Sequence, residues 1–510
     1  MAAPLRIALT ALAWAAVGVI YLPLLPAGLI IISPALHLNS WLTLLADAQL
    51  PGALLATLVS TAVALTGALA IAMFTIAALW PSRRWQRLVS RLPLLLALPH
   101  VAFAAAALLL FAEGGWLFRL FPALTAPQDR YGIGLGAVLA VKESAFLLWA
   151  AYALLDERSL RQQCLVLRSQ GYGRWQCLLW LIAPRLLPQM SIVLLATLAW
   201  TLSAVDVAIV IGPGNPPTLA VLAAQWLSAG DDAQQAQGAL ACLLLLAVMA
   251  AIALAARLIW RLLRALTPDF TGHRRPDRCR PVWRLPSSLL APASLLALAT
   301  LLLCARGERP DAQSLFNTLG LGALSALITL PLCLLWLACG PRRGGGIWLP
   351  LLLPALPLAA GQYQLALMGW IDGEWLTVLW GHLLWVFPWT LFMLRPAWRR
   401  RDPRQRLIAR TLGWSRARCF WQVSCPQLAR PLLAAFAVGF SVSVAQYLPT
   451  LWLGGGRITT LTTDAVALSS GGSAPLLAAQ ALWQSLLPLA VFTLAALLMR
   501  LIGRYRQGLC

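Results

Sequence analysis

The sequence is poor in charged residues, and lysine is almost absent from it. Only 11% of its 510 residues are charged, whereas a soluble domain of ordinary composition carries about 25%. The hydrophobic fraction is 60%, so too little polar surface exists to cover a water-facing globule. These proportions exclude a soluble protein and predict that lipid replaces water over most of the surface.

Acidic residues are also scarce, with 17 Asp and Glu against 39 Lys and Arg. A net charge of +22 is typical of nucleic-acid-binding proteins, but almost all the basic residues are Arg in short segments between apolar runs. Arginine in that position sets the orientation of a membrane protein. We therefore predict the lipid bilayer, and no nucleic acid, as a partner.

The sequence lacks the motifs of a metal centre and of an ATPase. Its ten Cys include no C-x-x-C pair, and its four His are isolated along the chain, so neither a disulfide framework nor a zinc site is predicted. No G-x-x-x-x-G-K-[ST] phosphate loop occurs. We expect no metal, no cofactor and no catalytic residues, and hence a protein that is not an enzyme.

Long apolar runs recur along the whole chain, and about 20 helical residues cross a hydrocarbon core of about 30 Å. Such runs must be helical, because lipid cannot form hydrogen bonds with the backbone N–H and C=O groups that an open strand edge would leave unpaired. We predict an all-α polytopic membrane protein of about twelve transmembrane helices in two tandem six-helix repeats. The predicted spans are 7–33, 52–79, 92–112, 133–155, 189–212 and 236–260, then 285–305, 315–339, 347–370, 377–397, 432–453 and 477–501.

The distribution of Arg orients these spans. The segments 156–188 and 398–431 carry five and nine Arg, whereas 34–51 and 213–235 carry none. By the positive-inside rule, the Arg-rich side and both termini are predicted to be cytoplasmic. The chain is therefore predicted to be a multi-pass membrane protein.

The two Arg-rich segments repeat each other. Residues 167–188 align with 409–431 at a separation of 242 residues, and a Leu-Pro pair at 98–99 aligns with one at 356–357. This internal repeat predicts one six-helix domain at 1–267 and another at 285–510, joined by a basic cytoplasmic linker at 268–284. The separation of 242 pairs Gly171 with Gly413, Arg174 with Arg416 and Pro184 with Pro426.

Each repeated segment has the pattern of a short helix, a glycine turn and a second, amphipathic helix. Gly171 and Gly413 permit the turn. We predict that Pro184 and Pro426 end the second helix before the next span, because proline disfavours the helical state of the residue that precedes it. Each half is thus expected to carry a two-helix elbow on the inner membrane surface.

These elbows resemble the cytoplasmic loop of binding-protein-dependent ABC importer permeases, in which an EAA sequence is followed by a glycine and a helix closed by Leu-Pro. The chain is most similar to the fused, dual-repeat permeases of iron(III) and thiamine importers. It departs from the pattern at Leu165 and Leu407, where the family has Glu, and reads Ala-Pro and Cys-Pro instead of Leu-Pro.

The resemblance implies a permease subunit of an ATP-driven solute importer, whose elbows dock on two copies of a cytoplasmic ABC ATPase. It also implies a location in the bacterial inner membrane and a periplasmic substrate-binding protein. ATP would be bound by the partner subunit rather than by this chain. The residues that it assigns to coupling are Ser169, Gly171, Arg174, Trp175, Pro184, Thr411, Gly413, Arg416 and Pro426.

Four polar residues within the spans are candidates to line a substrate path: Lys142, Glu143, Asp206 and Gln446. Intramembrane charge is costly and usually faces a cavity or a partner. Neighbours such as Lys142 and Glu143 do not share a helix face, so each needs its own partner. The alternative role for all four residues is hydrogen bonding between helices.

A twelve-helix, ion-coupled secondary transporter is the alternative function, since that class also uses two parallel six-helix halves. It normally needs titratable groups in the spans, and here Lys142 and Glu143 are the obvious pair. It would not explain two matched elbows. A membrane enzyme would need clustered carboxylates or histidines at one interface, and the sequence has none. The transported substrate is not indicated by the sequence.

Overall fold

The computed structural model describes residues 3–123, 129–155, 158–266, 285–341 and 345–507. Within these ranges every regular element is helical and no β-strand occurs, which confirms the predicted all-α class. The predicted linker at 268–284 lies outside the described residues.

The helices of the first half alternate between long apolar segments and short ones. The long segments satisfy their backbone hydrogen bonds internally, as lipid requires. One π-helical turn occurs at Leu178–Ile182. The helices of the first half, long and short, are Ala3–Tyr21, Leu24–Ala35, Leu38–Ala46, Leu50–Leu79, Arg83–Ala97, His100–Phe111, Trp116–Leu120, Ile133–Leu155, Arg158–Ser169, Arg174–Cys177, Ala183–Gln189, Ser191–Leu202, Val205–Ile211, Leu219–Leu227 and Asp232–Leu266.

The second half follows the same order with fewer pieces. It contains a 3-10 turn at Gly346–Trp348 and a π-helical turn at Phe420–Ser424. Its helices are Leu285–Ala305, Ala312–Cys339, Leu349–Leu352, Ala355–Met368, Trp375–Arg400, Pro403–Thr411, Arg416–Cys419, Cys425–Val444, Leu448–Gly454, Leu461–Ser469 and Ala474–Gln507.

Nine helices in the described part of the chain are long and apolar enough to cross a membrane, and two bent pairs bring the number to eleven. A shorter apolar helix, Leu289–Ala305, stands where a further span is predicted. The structure therefore agrees with the expectation of about twelve membrane helices.

Two predicted spans, 92–112 and 347–370, are broken at a Leu-Pro pair instead of running straight. Leu98 and Leu353, which each precede a proline, have extended backbones, because the proline ring disfavours the helical state of the residue before it. The two helices around Leu353 meet at 112°. The structural counterpart of 98–99 is thus 353–354, and the sequence alignment with 356–357 is wrong.

The predicted spans 189–212 and 432–453 are also interrupted. After Ser191–Leu202 the helix stops at Ser203, whose hydroxyl accepts a hydrogen bond from the Ala355 amide of the other half at 3.1 Å. Polar contacts of this kind replace helical ones at such breaks. Short helices also occupy part of the predicted outer loops, at Leu219–Leu227 and Leu461–Ser469.

The first half is built around a closely packed pair of spans, whereas in the second half Ala312–Cys339, Trp375–Arg400 and Cys425–Val444 pack against one another. In the first half, Leu50–Leu79 packs along Ile133–Leu155. A Cβ atom on Gly136 would lie only 2.6 Å from the carbonyl oxygen of Ser60, so a larger residue would push the two helices apart. Small residues at the contact suit a membrane protein, in which close packing rather than escape from water holds helices together.

The first span of each half packs against the other half. The Tyr21 hydroxyl donates a hydrogen bond to the Ile347 carbonyl at 2.5 Å. Reciprocally, Leu285–Ala305 packs against His100–Phe111 of the first half. The two halves are therefore interlocked rather than simply placed side by side.

Candidate functional site

Each half carries a two-helix elbow, the first elbow at residues 158–189 and the second elbow at residues 403–431. Gly171 and Gly413 lie between the two helices, with φ angles of 89° and 81°. This left-handed conformation is open to glycine and strained for other residues. The glycine in each elbow therefore allows the chain to reverse sharply.

The two turns are closed by the same hydrogen bonds at positions 242 residues apart. In each turn, the glycine amide donates to the carbonyl three residues earlier at 3.0 Å, and the next amide donates to the carbonyl five residues earlier at 3.1 Å. This is the Schellman pattern of helix ends. The hydroxyls of Ser169 and Thr411 also donate to the carbonyl three residues earlier, both at 2.7 Å.

Pro184 and Pro426 do not end the second elbow helix, contrary to the sequence prediction. Each follows a π-helical turn, Leu178–Ile182 or Phe420–Ser424, in which the amide that closes the turn bonds to a carbonyl five residues back. Because this turn shifts the hydrogen-bond ladder by one residue, the helix continues through a residue that lacks an N–H group. In the first half the bend comes later, at Met190, where the two helices meet at 66°.

Each elbow exposes three large apolar side chains at equivalent positions of the repeat. These side chains are between 55% and 67% exposed. They include Leu165 and Leu407, the two positions at which the sequence departs from the pattern of the family that it resembles. The equivalent pairs are Leu165 with Leu407, Val166 with Ile408, and Leu179 with Trp421.

Two residues that the resemblance assigns to coupling, Arg174 and Trp175, face the body of the protein. The Arg174 guanidinium donates to the carbonyl of Ala78, near the end of the second span, where a cation is favourable. The Trp175 ring meets Phe74 edge-on, with ring centroids 4.9 Å apart. These contacts fasten the first elbow to the second span. The side chain of Arg416, the counterpart of Arg174, lies outside the described part of the structure.

The two helices of the first elbow are joined through a pair of buried cysteines. The hydrogen bond from Cys177 lowers the pKa of the Cys164 thiol to about 7, with the charges of Arg168 and Arg174 acting in the same direction and burial opposing them. The second elbow has Arg406 in place of Cys164. The sequence analysis missed this pair because the two cysteines belong to different helices.

Lys142 and Glu143 take separate partners, as their adjacent positions on one helix require. The Lys142 ammonium donates to the carbonyls of Leu95 and Leu98 at 3.1 and 2.5 Å. It therefore caps the helix that ends at the Leu-Pro break, where carbonyls lack intrahelical partners. Glu143, which is 4% exposed, lies 2.9 Å from the Nε2 atom of His100.

His100 is not isolated in the folded protein, contrary to the sequence prediction. Besides Glu143, its ring faces Trp200 at a centroid distance of 5.3 Å. No local sequence pattern marks the pair, because the two residues are 43 positions apart on different helices. Within the described ranges, no three His, Cys, Asp or Glu side chains are placed to hold a metal ion.

Asp206 and Gln446 lie at matching breaks in the two halves. Asp206 is 6% exposed at the start of the short helix Val205–Ile211, where the helix dipole favours a carboxylate. Val205–Ile211 packs against Leu461–Ser469 of the other half. The structure thus brings Asp206 to the boundary between the halves, whereas Lys142 serves as a helix cap.

Aromatic rings connect the halves between these polar residues and the elbows. We call Phe146, Trp149, Trp348, Trp389 and Phe392 the aromatic bridge. Phe146 meets Trp389 with ring centroids 5.5 Å apart, and Trp149 meets Phe392 at 5.9 Å. Phe146 and Trp149 lie about one and two helical turns after Glu143. Sequence reasoning missed the bridge because single aromatic residues in apolar spans carry no pattern.

Comparison with known proteins gives two matches. Residues 282–505 match a family described as the binding-protein-dependent transport system inner membrane component. The chain is also 57% identical to the inner membrane ABC transporter permease protein YnjC of Escherichia coli (strain K12), and the alignment covers the whole of both chains. The family match falls on the second half of the chain and includes the second elbow.

Proposed function

Because the chain belongs to the inner-membrane permeases of binding-protein-dependent ABC transporters, we propose that it forms the translocation path of an ATP-driven solute importer. Its family is one of transport subunits rather than enzymes, and its relatives are named as parts of ABC transporters, which favours an ATP-driven importer over an ion-coupled secondary transporter. In this proposal a separate ATPase chain binds ATP and supplies the energy, and this chain carries no cofactor.

The matched elbows are the observation that supports coupling to an ATPase. Two copies of one protein present two copies of one binding groove, and such a partner requires two similar surfaces on the permease. The exposed apolar side chains Leu165, Val166 and Leu179 recur at equivalent positions of the second elbow. We infer that burial of these side chains replaces the contact that the family's Glu makes.

The proposed path follows the boundary between the halves. It passes Asp206 and Gln446 at the helix breaks, then the pair formed by His100 and Glu143. The aromatic bridge closes the path on the side of the elbows, because its rings belong to both halves. When ATP-driven movement draws the elbows together, the rings of the two halves would change their contacts and open or close the path.

The orientation follows from the Arg-rich elbows. We propose that both elbows and both termini are cytoplasmic, in agreement with the positive-inside rule. The opposite end of the permease would then receive a periplasmic substrate-binding protein. That end includes the start of the helix Trp375–Arg400, since the second elbow follows its other end.

A double variant, Leu165→Asp with Leu407→Asp, tests the docking surface. Both side chains are more than half exposed, so the variant should fold, but a charge should oppose burial under the ATPase. Co-purification with the co-expressed partner ATPase should be lost. Leu376→Asp, a residue 73% exposed at the opposite end, is the matched control and should retain the ATPase. If the double variant also retains it, the proposed docking surface is wrong.

A further inference from the structure

A recess of about 410 Å³ opens beside the second elbow, between the ends of two neighbouring spans. One wall is basic and consists of Arg400 and Arg401. The other wall is apolar and includes Met393, Pro396 and Pro431. The recess therefore offers positive charge and an apolar surface side by side.

The positive charge of this recess is not neutralised locally. Neither Arg400 nor Arg401 forms an ion pair with a carboxylate in the described part of the chain. The nearest carboxylate in sequence, Asp402, accepts a hydrogen bond from the Arg404 amide at 2.9 Å and so caps its own helix. Burial, together with the charge of Arg406, lowers the pKa of Arg401 to about 10. An anion in the recess would relieve this crowding of positive charge.

The pair of adjacent Arg residues that forms the basic wall occurs in one half only. At the positions 242 residues earlier, Arg399 and Arg401 are replaced by Glu157 and Ser159, and only Arg400 has a basic counterpart. A surface that both elbows need for a symmetric partner would be present in both halves. The asymmetry therefore separates this recess from the docking surfaces on the elbows.

The residues around the recess are of the types that mark the membrane interface. Arg401 stacks on the Trp398 ring at 3.2 Å, and Arg395 lies over the Trp348 ring at 5.4 Å, both at the Arg-rich end of a long apolar helix. Tryptophan and arginine at the end of a span mark the membrane interface. The apolar wall then faces the hydrocarbon, and the basic wall faces the phosphate layer.

From these observations we propose that the recess binds the phosphodiester headgroup of an anionic phospholipid. Arg400 and Arg401 would hold the phosphate, since the planar guanidinium group matches phosphate oxygens with two parallel hydrogen bonds. The apolar wall would contact the beginning of the acyl chains. Basic pockets between spans at the cytoplasmic surface suit such headgroups.

The site also contacts the second elbow. Gln427, which lines the recess, donates a hydrogen bond to Gln405 on the first helix of the elbow at 2.5 Å. A lipid held in the recess would therefore pack beside the elbow of one half and not the other.

Native mass spectrometry of the delipidated, full-length permease tests this proposal. Phosphatidylglycerol, cardiolipin and phosphatidylcholine are added in turn to the wild type and to an Arg400→Gln, Arg401→Gln variant. Anionic lipid should bind the wild type, and the variant should bind it about thirtyfold more weakly, since each interfacial Arg contributes about 1 kcal/mol. Arg83→Gln with Arg84→Gln, which removes two Arg from the corresponding side of the first half, is the matched control and should bind like the wild type.

A second variant shows whether weaker lipid binding comes from the recess itself or from misfolding of the Arg variant. Ala397→Trp fills the recess without removing charge, and it should also weaken binding of anionic lipid. Inorganic phosphate added in excess should not displace the lipid, because it cannot use the apolar wall. Equal binding of phosphatidylcholine, unchanged binding by the Arg variant, or displacement by phosphate alone would each overturn the proposal.

Discussion

The Nε2 atom of His100 lies 2.9 Å from a carboxylate oxygen of Glu143, and this contact ties the helix after the first Leu-Pro break to the middle of another span. Glu143 is almost fully buried, whereas the His100 side chain is 28% exposed. Glu143 is therefore held inside the protein, whereas part of the His100 side chain faces an accessible space. This is the arrangement expected of a polar group beside a path.

Replacing Glu143 tests the strength of this contact. Glu143→Ala should lower the free energy of unfolding by about 1–3 kcal/mol, because it leaves the imidazole without its buried partner. Glu143→Gln keeps an acceptor of the same shape and should cost less. Thermal unfolding of the purified protein in detergent measures both changes, with Glu113→Ala at an exposed position as the control. Equal stability of the Ala and Gln variants would show that the hydrogen bond contributes little.

The repeat also contains a pair of helix caps that can be removed separately. The hydroxyl oxygens of Thr57 and Thr318 accept hydrogen bonds from the amides of Leu219 and Leu461 at 2.8 and 3.0 Å. Leu219 and Leu461 are the first residues of the two short helices in the regions predicted to be outer loops. Each hydroxyl thus fastens the start of such a helix to the second span of its own half.

Thr57→Val and Thr318→Val should each lower the free energy of unfolding by about 1 kcal/mol, since each leaves a helix-start amide without its partner. The two losses should add in the double variant, because the sites share no contacts. Thr66→Val serves as the control, since that hydroxyl bonds only to the Ala62 carbonyl of its own helix. Chemical denaturation measures all four variants. A loss as large for Thr66→Val would contradict the capping role.

Stability should depend on pH through Asp464, which lies on the short helix Leu461–Ser469. Burial raises the pKa of this carboxyl group, although a hydrogen bond from Ser314 acts against the shift and the charge of Asp311 acts with it. A raised pKa in the folded state means that protonation favours folding. This contribution to stability is present at low pH and is lost as the pH rises through the folded-state pKa.

Asp464→Asn should remove that dependence. The variant should be at least as stable as the wild type at neutral pH, and the difference between them should shrink as the pH falls, because the wild-type carboxyl becomes neutral. Melting temperatures measured from pH 4.5 to pH 8 follow the change. Asp372→Asn, at an outer turn where the side chain is 33% exposed, provides the comparison. A wild type that gains stability over the Asn variant as the pH rises would contradict the assignment.

Some of the fold and site could be predicted from the sequence because they depend on local or repeated patterns. Apolar runs indicated the membrane helices, and the repeated glycines indicated the turns at Gly171 and Gly413. The prediction that Pro184 and Pro426 end the second elbow helix was wrong, because the rule that proline ends a helix assumes a regular hydrogen-bond ladder. The π-helical turns before Pro184 and Pro426 change that ladder, and no simple sequence pattern marks them.

The remaining features depend on which helices become neighbours. His100 and Glu143, or Phe146 and Trp389, are distant in sequence and meet only after the spans have packed. The same is true of the contact between Tyr21 and Ile347, which no repeat could reveal because it joins the first half to the second. A pattern along one chain does not specify such pairs.

The exchange of first spans has a mechanical consequence. The outer wall of each half includes the first helix of the other half: Ala3–Tyr21 packs against the second half, and Leu285–Ala305 packs against the first half. If the halves moved straight apart, these helices would have to leave the surfaces that bury them. We therefore expect the halves to pivot about these two helices, and we expect a chain cut within the predicted linker at 268–284 to yield two fragments that each lack part of their own wall.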